Sequence, residues 1–127
     1  MYKILIAEDD IELRGLFQNV LVRQGFYVKC VSNGKEALEQ IESNFFDLVI
    51  SDIMMPVMDG YQALVGIRNL EKERNIPEEK SVKVIMATAL TDEKNVKMAF
   101  ELGCTIYSGK PIDQERFEEA LKRLDLI

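Results

Sequence analysis

Short apolar runs alternate with amphipathic stretches along the whole chain. The runs are four to six residues long, which suits strands, whereas the stretches between them repeat apolar residues every three or four positions, which suits helices. Gly25 can end the first of these helices. The pattern predicts strands at 3–7, 26–31, 47–51, 82–87 and 104–107, and helices at 11–24, from 34 past 41, and at 61–72, 92–102 and 114–124.

This alternation predicts an α/β fold with one parallel sheet. Strands that alternate with helices form βαβ units, and such units place helices on both faces of the sheet. The first, third and fourth runs lack polar interruptions, as expected for central strands. No repeat or interdomain linker is visible, so residues 1–127 are expected to form one domain. The charged segment 71–81 contains Pro77 and is predicted to be a long solvated loop.

Composition narrows the partners and the chemistry. The sequence has 16 Lys and Arg against 22 Asp and Glu, a formal charge of −6, which argues against a nucleic-acid partner. No apolar run is long enough for a membrane span or a secretory signal, so we expect a cytoplasmic protein without membrane partners. Histidine is absent, which excludes a Ser-His-Asp triad, a His-ligated zinc and a phosphohistidine carrier. Cys30 and Cys104 lie in apolar segments and are expected to be reduced and buried.

Polar residues of complementary chemistry follow four of the predicted strands. They are Glu8, Asp9 and Asp10 after the first strand, Asp52 after the third, Thr88 after the fourth and Lys110 after the fifth. In an open parallel sheet, ligands bind at this carboxyl edge, in the crevice where the strand order reverses. For the strand order 2-1-3-4-5, the crevice lies between the first and third strands, which deliver the carboxylates.

A cluster of carboxylates needs a compensating cation. Two carboxylates about 4 Å apart repel by about 4 kcal/mol at an effective dielectric constant near 20. Oxygen ligands without His or Cys favour Mg²⁺. A carboxylate beside such an ion can accept a phosphoryl group, with Lys110 and Thr88 contacting the phosphoryl oxygens. Each residue also has an ordinary structural alternative: Asp10 can cap the next helix, Thr88 can be a turn residue, and Lys110 can be solvated.

Five motifs, in order, resemble those of response-regulator receiver domains of the CheY type, over residues 2–125. They are LIAEDD at 5–10, DLVISD at 47–52, MPVMDG at 55–60, VIMATA at 84–89 and GKP at 109–111. The resemblance implies a flavodoxin-like (βα)5 sandwich of three layers with the strand order 2-1-3-4-5. It also implies a role in two-component signalling, in which Asp52 is phosphorylated by a histidine kinase or a histidine phosphotransfer protein. Such a protein is not an enzyme beyond its own phosphorylation and dephosphorylation.

The resemblance assigns a metal site. Mg²⁺ would be held by Glu8, Asp9 and Asp52 and by the backbone carbonyl of Met54. Asp10 falls one position beyond the acidic pair of the family and is not assigned to the metal.

The resemblance also assigns a switch. Lys110 would contact the phosphoryl group, and Pro111 would follow it in a cis peptide. Thr88 and Tyr107 match the switch pair, which alters the face made by the fourth helix, the fifth strand and the fifth helix. The positions just before Tyr107 lack the acidic or Asn residues common in the family, so the resemblance implies a downstream protein target without identifying it. The expected state is a monomer or a weak dimer that depends on phosphorylation.

Three other functions fit these residues less well. A phosphorylation-independent pseudo-receiver would not need the acids, Thr88 and Lys110, which are all present. A phosphatase of the haloacid dehalogenase type needs a second Asp two residues after its nucleophile, where this chain has Met54. A flavin mononucleotide binder needs a phosphate-cradling loop after the first strand, and the sequence Glu-Asp-Asp there would repel phosphate.

Overall fold

The five apolar runs form one parallel sheet in a computed structural model that describes residues 1–110 and 112–127. The strands are β1 (Lys3–Ala7), β2 (Tyr27–Val31), β3 (Leu48–Ser51), β4 (Lys83–Thr88) and β5 (Ile106–Gly109). The helices are α1 (Ile11–Arg23), α2 (Gly34–Ser43), α3 (Gly60–Glu73), α4 (Glu93–Glu101) and α5 (Gln114–Arg123). The strand order is β2-β1-β3-β4-β5, which confirms the predicted α/β sandwich of the flavodoxin-like kind.

Two hydrophobic cores lie on opposite faces of the sheet. Leu5, Val49 and Val84 point to one face, which α2, α3 and α4 cover, and their sequence neighbours point to the other, which α1 and α5 cover. On the second face, the rings of Phe17 and Phe117 meet edge to face with centroids 5.1 Å apart, and they join α1 to α5. Because β1, β3 and β4 are buried on both faces, their sequences carry no polar alternation. None of the described helices is long and apolar enough to cross a membrane.

All five helices begin at an Asp or Asn side chain that accepts backbone N–H groups. These caps are Asp10, Asn33, Asp59, Asp92 and Asp113. Asp10 accepts from the N–H groups of Glu12 and Leu13, so the structural alternative for Asp10 is confirmed. Since a cap sets the residue at which a helix starts, these side chains also fix the length of the loops between each strand and the next helix, and the polar residues such as Glu8 and Asp52 lie in those loops.

The prediction of a solvated loop over 71–81 is wrong at its start. Glu71 lies inside α3 and is only 8% exposed. Its carboxylate binds Arg68 at 2.7 Å and accepts from the N–H of Val82 at 2.7 Å. A buried carboxylate is tolerated when a cation and a peptide group satisfy it, and a pattern of charges along the chain does not show such pairing. Farther on, residues 78–80 form a 3-10 turn.

Two smaller predictions also need correction. The fifth strand was expected at 104–107, but the N–H of Cys104 closes the end of α4 by bonding the carbonyl of Ala99. The ladder with β4 runs instead from Ile106 to Gly109, because the small residues there still pair with the end of β4. Both cysteines are free, but Cys30 is half-buried rather than buried because it lies on the edge strand β2.

Candidate functional site

The register of the sheet brings the ends of β1 and β3 together. Ala7 pairs with Ser51, so the next residues, Glu8 and Asp52, leave the two strands side by side. The backbone continues this alignment, since the N–H of Asp52 donates to the carbonyl of Ala7 at 3.0 Å. The strand order reverses between β1 and β3, as predicted, and the carboxylates therefore lie at the ligand-binding crevice of the fold.

Three carboxylates converge at this point. One oxygen from each of Glu8, Asp9 and Asp52 lies within 4.8 Å of the other two. Glu8 is 2% exposed and Asp52 is 8% exposed, whereas Asp9 is open to solvent. Hard oxygen ligands with one open side suit a divalent ion that keeps part of its water shell, so the residues present fit Mg²⁺.

Lys110 supplies the one ammonium group that contacts this cluster among the described residues. Its Nζ lies 2.8 Å from Oδ2 of Asp52 and also contacts Oε1 of Glu8. Its N–H donates to the carbonyl of Thr88 at 2.8 Å, which anchors the residue after β5 to the end of β4. Three carboxylates and one ammonium leave two negative charges in excess, the charge of one divalent cation.

The ionisation of the cluster reflects its burial. Burial raises the pKa of Glu8, and the hydrogen bonds from Lys110 and from the N–H of Asp10 oppose this shift without reversing it. Burial alone would lower the pKa of Lys110, but its hydrogen bonds to Asp52 and Glu8 outweigh burial, and the pKa is raised. Lys110 is therefore firmly cationic, and Glu8 is the carboxylate that most needs a further cation.

Backbone contacts hold Asp52 in place. Its Oδ1 accepts from the N–H of Ile53 at 2.7 Å, which fixes the carboxylate plane. Gly60, the first residue of α3, packs directly on this segment, and a Cβ there would lie 2.1 Å from the carbonyl oxygen of Asp52. The N–H of Gly60 donates to the carbonyl of Ile53 at 2.7 Å. The turn before α3 thus needs a glycine for close approach to the carboxylate strand.

The two residues matched to a switch pair both contact Leu90 and lie outside the carboxylate cluster. Thr88 is buried, and its Oγ1 accepts from the N–H of Leu90 at 3.2 Å. The hydroxyl of Tyr107 donates to the carbonyl of Leu90, and its ring packs against the core beneath α3 and α4. Burial raises the pKa of Tyr107 to about 12, so it stays a neutral donor.

Three further sequence expectations have different outcomes. Met54 follows Asp52 in the connection to α3 with its side chain 65% exposed, and the role of its carbonyl toward Mg²⁺ stays a prediction. Asp10 lies outside the described cluster and caps α1. The expected cis peptide falls on Pro111, which lies outside the described residues.

Sequence reasoning missed several contacts around the site. Arg14 donates from Nη1 to the carbonyl of Glu8 at 3.2 Å, and the N–H of Asp10 donates to Oε2 of Glu8 at 3.2 Å. Tyr61, in the first turn of α3, donates its hydroxyl to Asn95 in α4. Arg14 and Tyr61 both lie outside the five motifs, so the sequence carried no signal for these contacts.

The fold is a doubly wound α/β sheet with an acidic cluster at its switch point and a lysine that reaches this cluster from the end of the last strand. The chain belongs to the response regulator receiver domain family, whose model matches residues 4–122. It is therefore a receiver domain of two-component signalling.

Similar proteins agree with this assignment. The chain is 37% identical over 123 residues to the probable transcriptional regulator ycf29 of Porphyra purpurea, covering 97% of this chain and 56% of that protein. It spans about half the length of the curated relatives it matches. The fold is similar to that of the chemotaxis protein CheY4 of Vibrio cholerae, with a TM-score of 0.85, 27% identity and 98% coverage of both chains. It is also similar to the receiver domain of the sensor histidine kinase PA1611 from Pseudomonas aeruginosa, with a TM-score of 0.84, 27% identity and coverage of 97% and 96%. That structure has a magnesium ion coordinated in its active-site cleft.

Proposed function

We propose that this receiver domain is a phosphorylation switch with Asp52 as the phosphoacceptor. A histidine kinase or a histidine phosphotransfer protein supplies the phosphoryl group. The observation that carries the proposal is the convergence of Glu8, Asp9 and Lys110 on the buried carboxylate of Asp52.

The contacts of Asp52 suit it to attack phosphorus. A carboxylate oxygen forms the new P–O bond while the P–N bond of the donor phosphohistidine breaks, and the departing imidazole nitrogen takes up a proton. The N–H of Ile53 fixes one carboxylate oxygen, so the orientation of the nucleophile is set before the donor arrives. Lys110, next to the other oxygen at 2.8 Å, offers positive charge to the incoming phosphoryl oxygens.

The same cluster supports a requirement for Mg²⁺. Glu8, Asp9 and Asp52, with the backbone carbonyl of Met54, would hold the ion. When bound, Mg²⁺ neutralises negative charge on the transferred group. Without a divalent cation, the two excess negative charges of the site would repel a phosphoryl group.

Thr88 and Tyr107 would carry the signal away from the site. The hydroxyl of Thr88 turns from Leu90 to a phosphoryl oxygen, which releases Leu90 from one of its two contacts with the pair. Phosphorylation thereby shifts a population between two arrangements of the face made by α4, β5 and α5. A downstream protein reads this face, and the domain works as a monomer or a weak phosphorylation-dependent dimer without binding nucleic acid or membranes. The chain catalyses only its own phosphorylation and dephosphorylation, and we place it in the cytoplasm.

Labelling with radioactive acetyl phosphate and Mg²⁺ tests the proposal. The protein is expected to take up one acid-stable but base-labile label, and Asp52→Ala is expected to abolish it. Asp10→Asn is the matched control, because it changes a neighbouring carboxylate that caps α1 and leaves the cluster intact. Labelling of Asp52→Ala at the level of the unaltered protein would overturn the assignment. If the unaltered protein takes no label with Mg²⁺ present, a phosphorylation-independent interaction module becomes the better description.

A further inference from the structure

Helix α3 holds both ends of helix α4. Tyr61 and Arg68 are seven residues apart, which is two helical turns, so they lie on the same side of α3. The hydroxyl of Tyr61 donates to Oδ1 of Asn95 at 2.5 Å and lies 3.2 Å from the carbonyl oxygen of the same residue, in the first turn of α4. Arg68 donates from Nε and Nη2 to the carbonyl of Gly103, just after α4, at 3.1 and 2.8 Å.

The two attachments differ in strength. Arg68 also donates to the carbonyl of Val82 and is paired with the buried Glu71, so its guanidinium contacts three different residues of the protein. Tyr61 holds Asn95 by one neutral hydroxyl. Since a charged, multiply bonded group is harder to displace than a single neutral hydrogen bond, the Arg68 end of α4 is the fixed end.

Two sets of hydrogen bonds, joined by the backbone from Leu90 to Asp92, connect Thr88 to the Tyr61 end of α4. Thr88 holds the N–H of Leu90, two residues before the cap of α4. That cap, Asp92, accepts from the N–H of Asn95 at 3.3 Å and from its side-chain amide at 2.6 Å. A displacement of Thr88 toward Asp52 therefore strains the segment 88–92 and the first turn of α4, where Tyr61 resists it.

We propose that Tyr61 is a positioning residue that holds the first turn of α4 in its unphosphorylated arrangement. The inference rests on the proposed function of Asp52 and Thr88. Its consequence is that the hydrogen bond from Tyr61 to Asn95 opposes activation, because it must lengthen or break when α4 turns about its Arg68 end. Burial and the nearby charges of Asp92 and Asp59 raise the pKa of Tyr61, so the hydroxyl keeps its proton and can donate across the physiological pH range.

The test uses beryllofluoride with Mg²⁺ as a mimic of the phosphoryl group on Asp52. Backbone amide signals of Thr88 and Gly109 in ¹H–¹⁵N NMR spectra report the titration of the full chain. Tyr61→Phe keeps the ring and removes the hydroxyl. If that hydrogen bond stabilises the inactive arrangement, the half-saturating beryllofluoride concentration should fall about five-fold, which corresponds to about 1 kcal/mol. The linkage holds as long as the inactive arrangement predominates in the free protein.

A matched control separates this role from simple stabilisation. Tyr27→Phe makes the same chemical change on β2, at the far edge of the sheet, and is expected to leave the half-saturating concentration unchanged. A merely structural Tyr61 would lower the melting temperature of Tyr61→Phe without changing its half-saturating concentration. That result overturns the proposal, as does weaker binding.

A second variant keeps the proposal falsifiable if Tyr61→Phe folds poorly. Asn95→Ala removes the nearer acceptor of Tyr61, and it should also lower the half-saturating concentration. Unchanged or weaker binding by Asn95→Ala would count against the proposal in the same way. If the unaltered protein itself does not respond to beryllofluoride, the proposed function of Asp52 fails. If it responds and both variants titrate like it, only the role of Tyr61 fails.

Discussion

Removing the charge of Lys110 should strongly lower the stability of this protein. Its ammonium group lies between two carboxylates, Glu8 and Asp52, that are 2% and 8% exposed. Lys110→Met keeps most of the side-chain length and removes the charge. The two carboxylates then remain buried without a protein cation in contact, and the cost of burying their charge is no longer offset.

The distances set the size of the effect. Unit charges 2.8 Å apart, as Nζ and Oδ2 of Asp52 are, attract by about 6 kcal/mol at an effective dielectric constant near 20. The cost of dehydrating the ammonium offsets part of this attraction, and removing one partner from a buried pair costs about 3–5 kcal/mol overall. We expect a loss of this size in the free energy of unfolding at pH 7 without Mg²⁺. Since single domains are stable by about 5–15 kcal/mol, the variant should be marginally folded.

The loss should depend on pH in a defined way. The pKa of Lys110 is raised above its ordinary 10.5, so its stabilising contribution is complete below that pH and is lost as the pH rises through the raised value. On the acid side, Lys110 lowers the pKa of Glu8, so the carboxyl group of Glu8 takes up a proton at higher pH in the variant than in the unaltered protein. The difference between the two proteins should therefore be largest near neutral pH and should shrink toward pH 4.5 and above pH 10.5.

Urea unfolding followed by circular dichroism measures this difference. Mg²⁺ at 100 times its dissociation constant should stabilise the variant by about 2.7 kcal/mol relative to the same variant without the metal, because the ion supplies positive charge that Lys110 no longer provides. Lys97→Met, at an exposed lysine of α4, is the control and should change stability by less than about 0.5 kcal/mol. The reasoning would be refuted if the free energies of unfolding of Lys110→Met and the unaltered protein differed by less than about 1 kcal/mol at pH 7. It would also be refuted if the stability of the variant, compared with that of the unaltered protein, changed with neither pH nor Mg²⁺.

Three further predictions concern the same end of the sheet. Val57 adopts φ 70°, a left-handed conformation that costs an L-residue about 1–2 kcal/mol. Val57→Gly should therefore raise the melting temperature by about 2–4 °C after the entropic cost of glycine is subtracted, with Val57→Ala intermediate, and a lower melting temperature would contradict this. Because burial raises the pKa of Glu8, the contribution of Glu8 to metal-free stability is complete below pH 4.5 and is lost as the pH rises through the raised value. The free energy of unfolding of Glu8→Gln should therefore increase relative to that of the unaltered protein over this interval, and urea midpoints that stay parallel from pH 4 to 8 would disprove this. Met54 and Leu90 are apolar and cannot orient an attacking water, so polar substitutions at both should speed the loss of label from phosphorylated Asp52; an unchanged rate would show that water is positioned elsewhere.

The fold could be predicted because local patterns and global packing agree. The apolar run at 3–7 is followed by Glu8, which lies at the crevice beyond the end of the strand. β1 accordingly has the predicted bounds, Lys3–Ala7. The central strands were predictable because burial on two faces removes polar residues from the sequence. The carboxylates could be predicted to cluster because the carboxyl ends of parallel strands meet at one edge. The structure confirms this for Glu8, Asp9 and Asp52.

Contacts that pair distant residues could not be predicted. Glu71 reads as part of a charged solvated segment, but its burial depends on the Val82 N–H, 11 residues away, and on Arg68. The hydroxyl of Tyr61 donates to Asn95, which lies 34 residues farther along the chain. Such pairings depend on where two helices lie on the sheet, and hydrophobic periodicity reports only which side of each helix is buried.

β3 and β5 differ in the number of neighbouring strands that hold them, so we expect them to differ in how easily they open locally. β3 lies between two partners, so the strand before Asp52 is held by hydrogen bonds on both sides, whereas β5, the strand of Tyr107, pairs with β4 alone among the described residues. Amide protons of β3 should therefore exchange with solvent only on global opening, and those of β5 should exchange through smaller, local openings. The proposed phosphoacceptor therefore belongs to the part of the protein that opens last, and the strand proposed to pass the signal on belongs to a part that opens earlier.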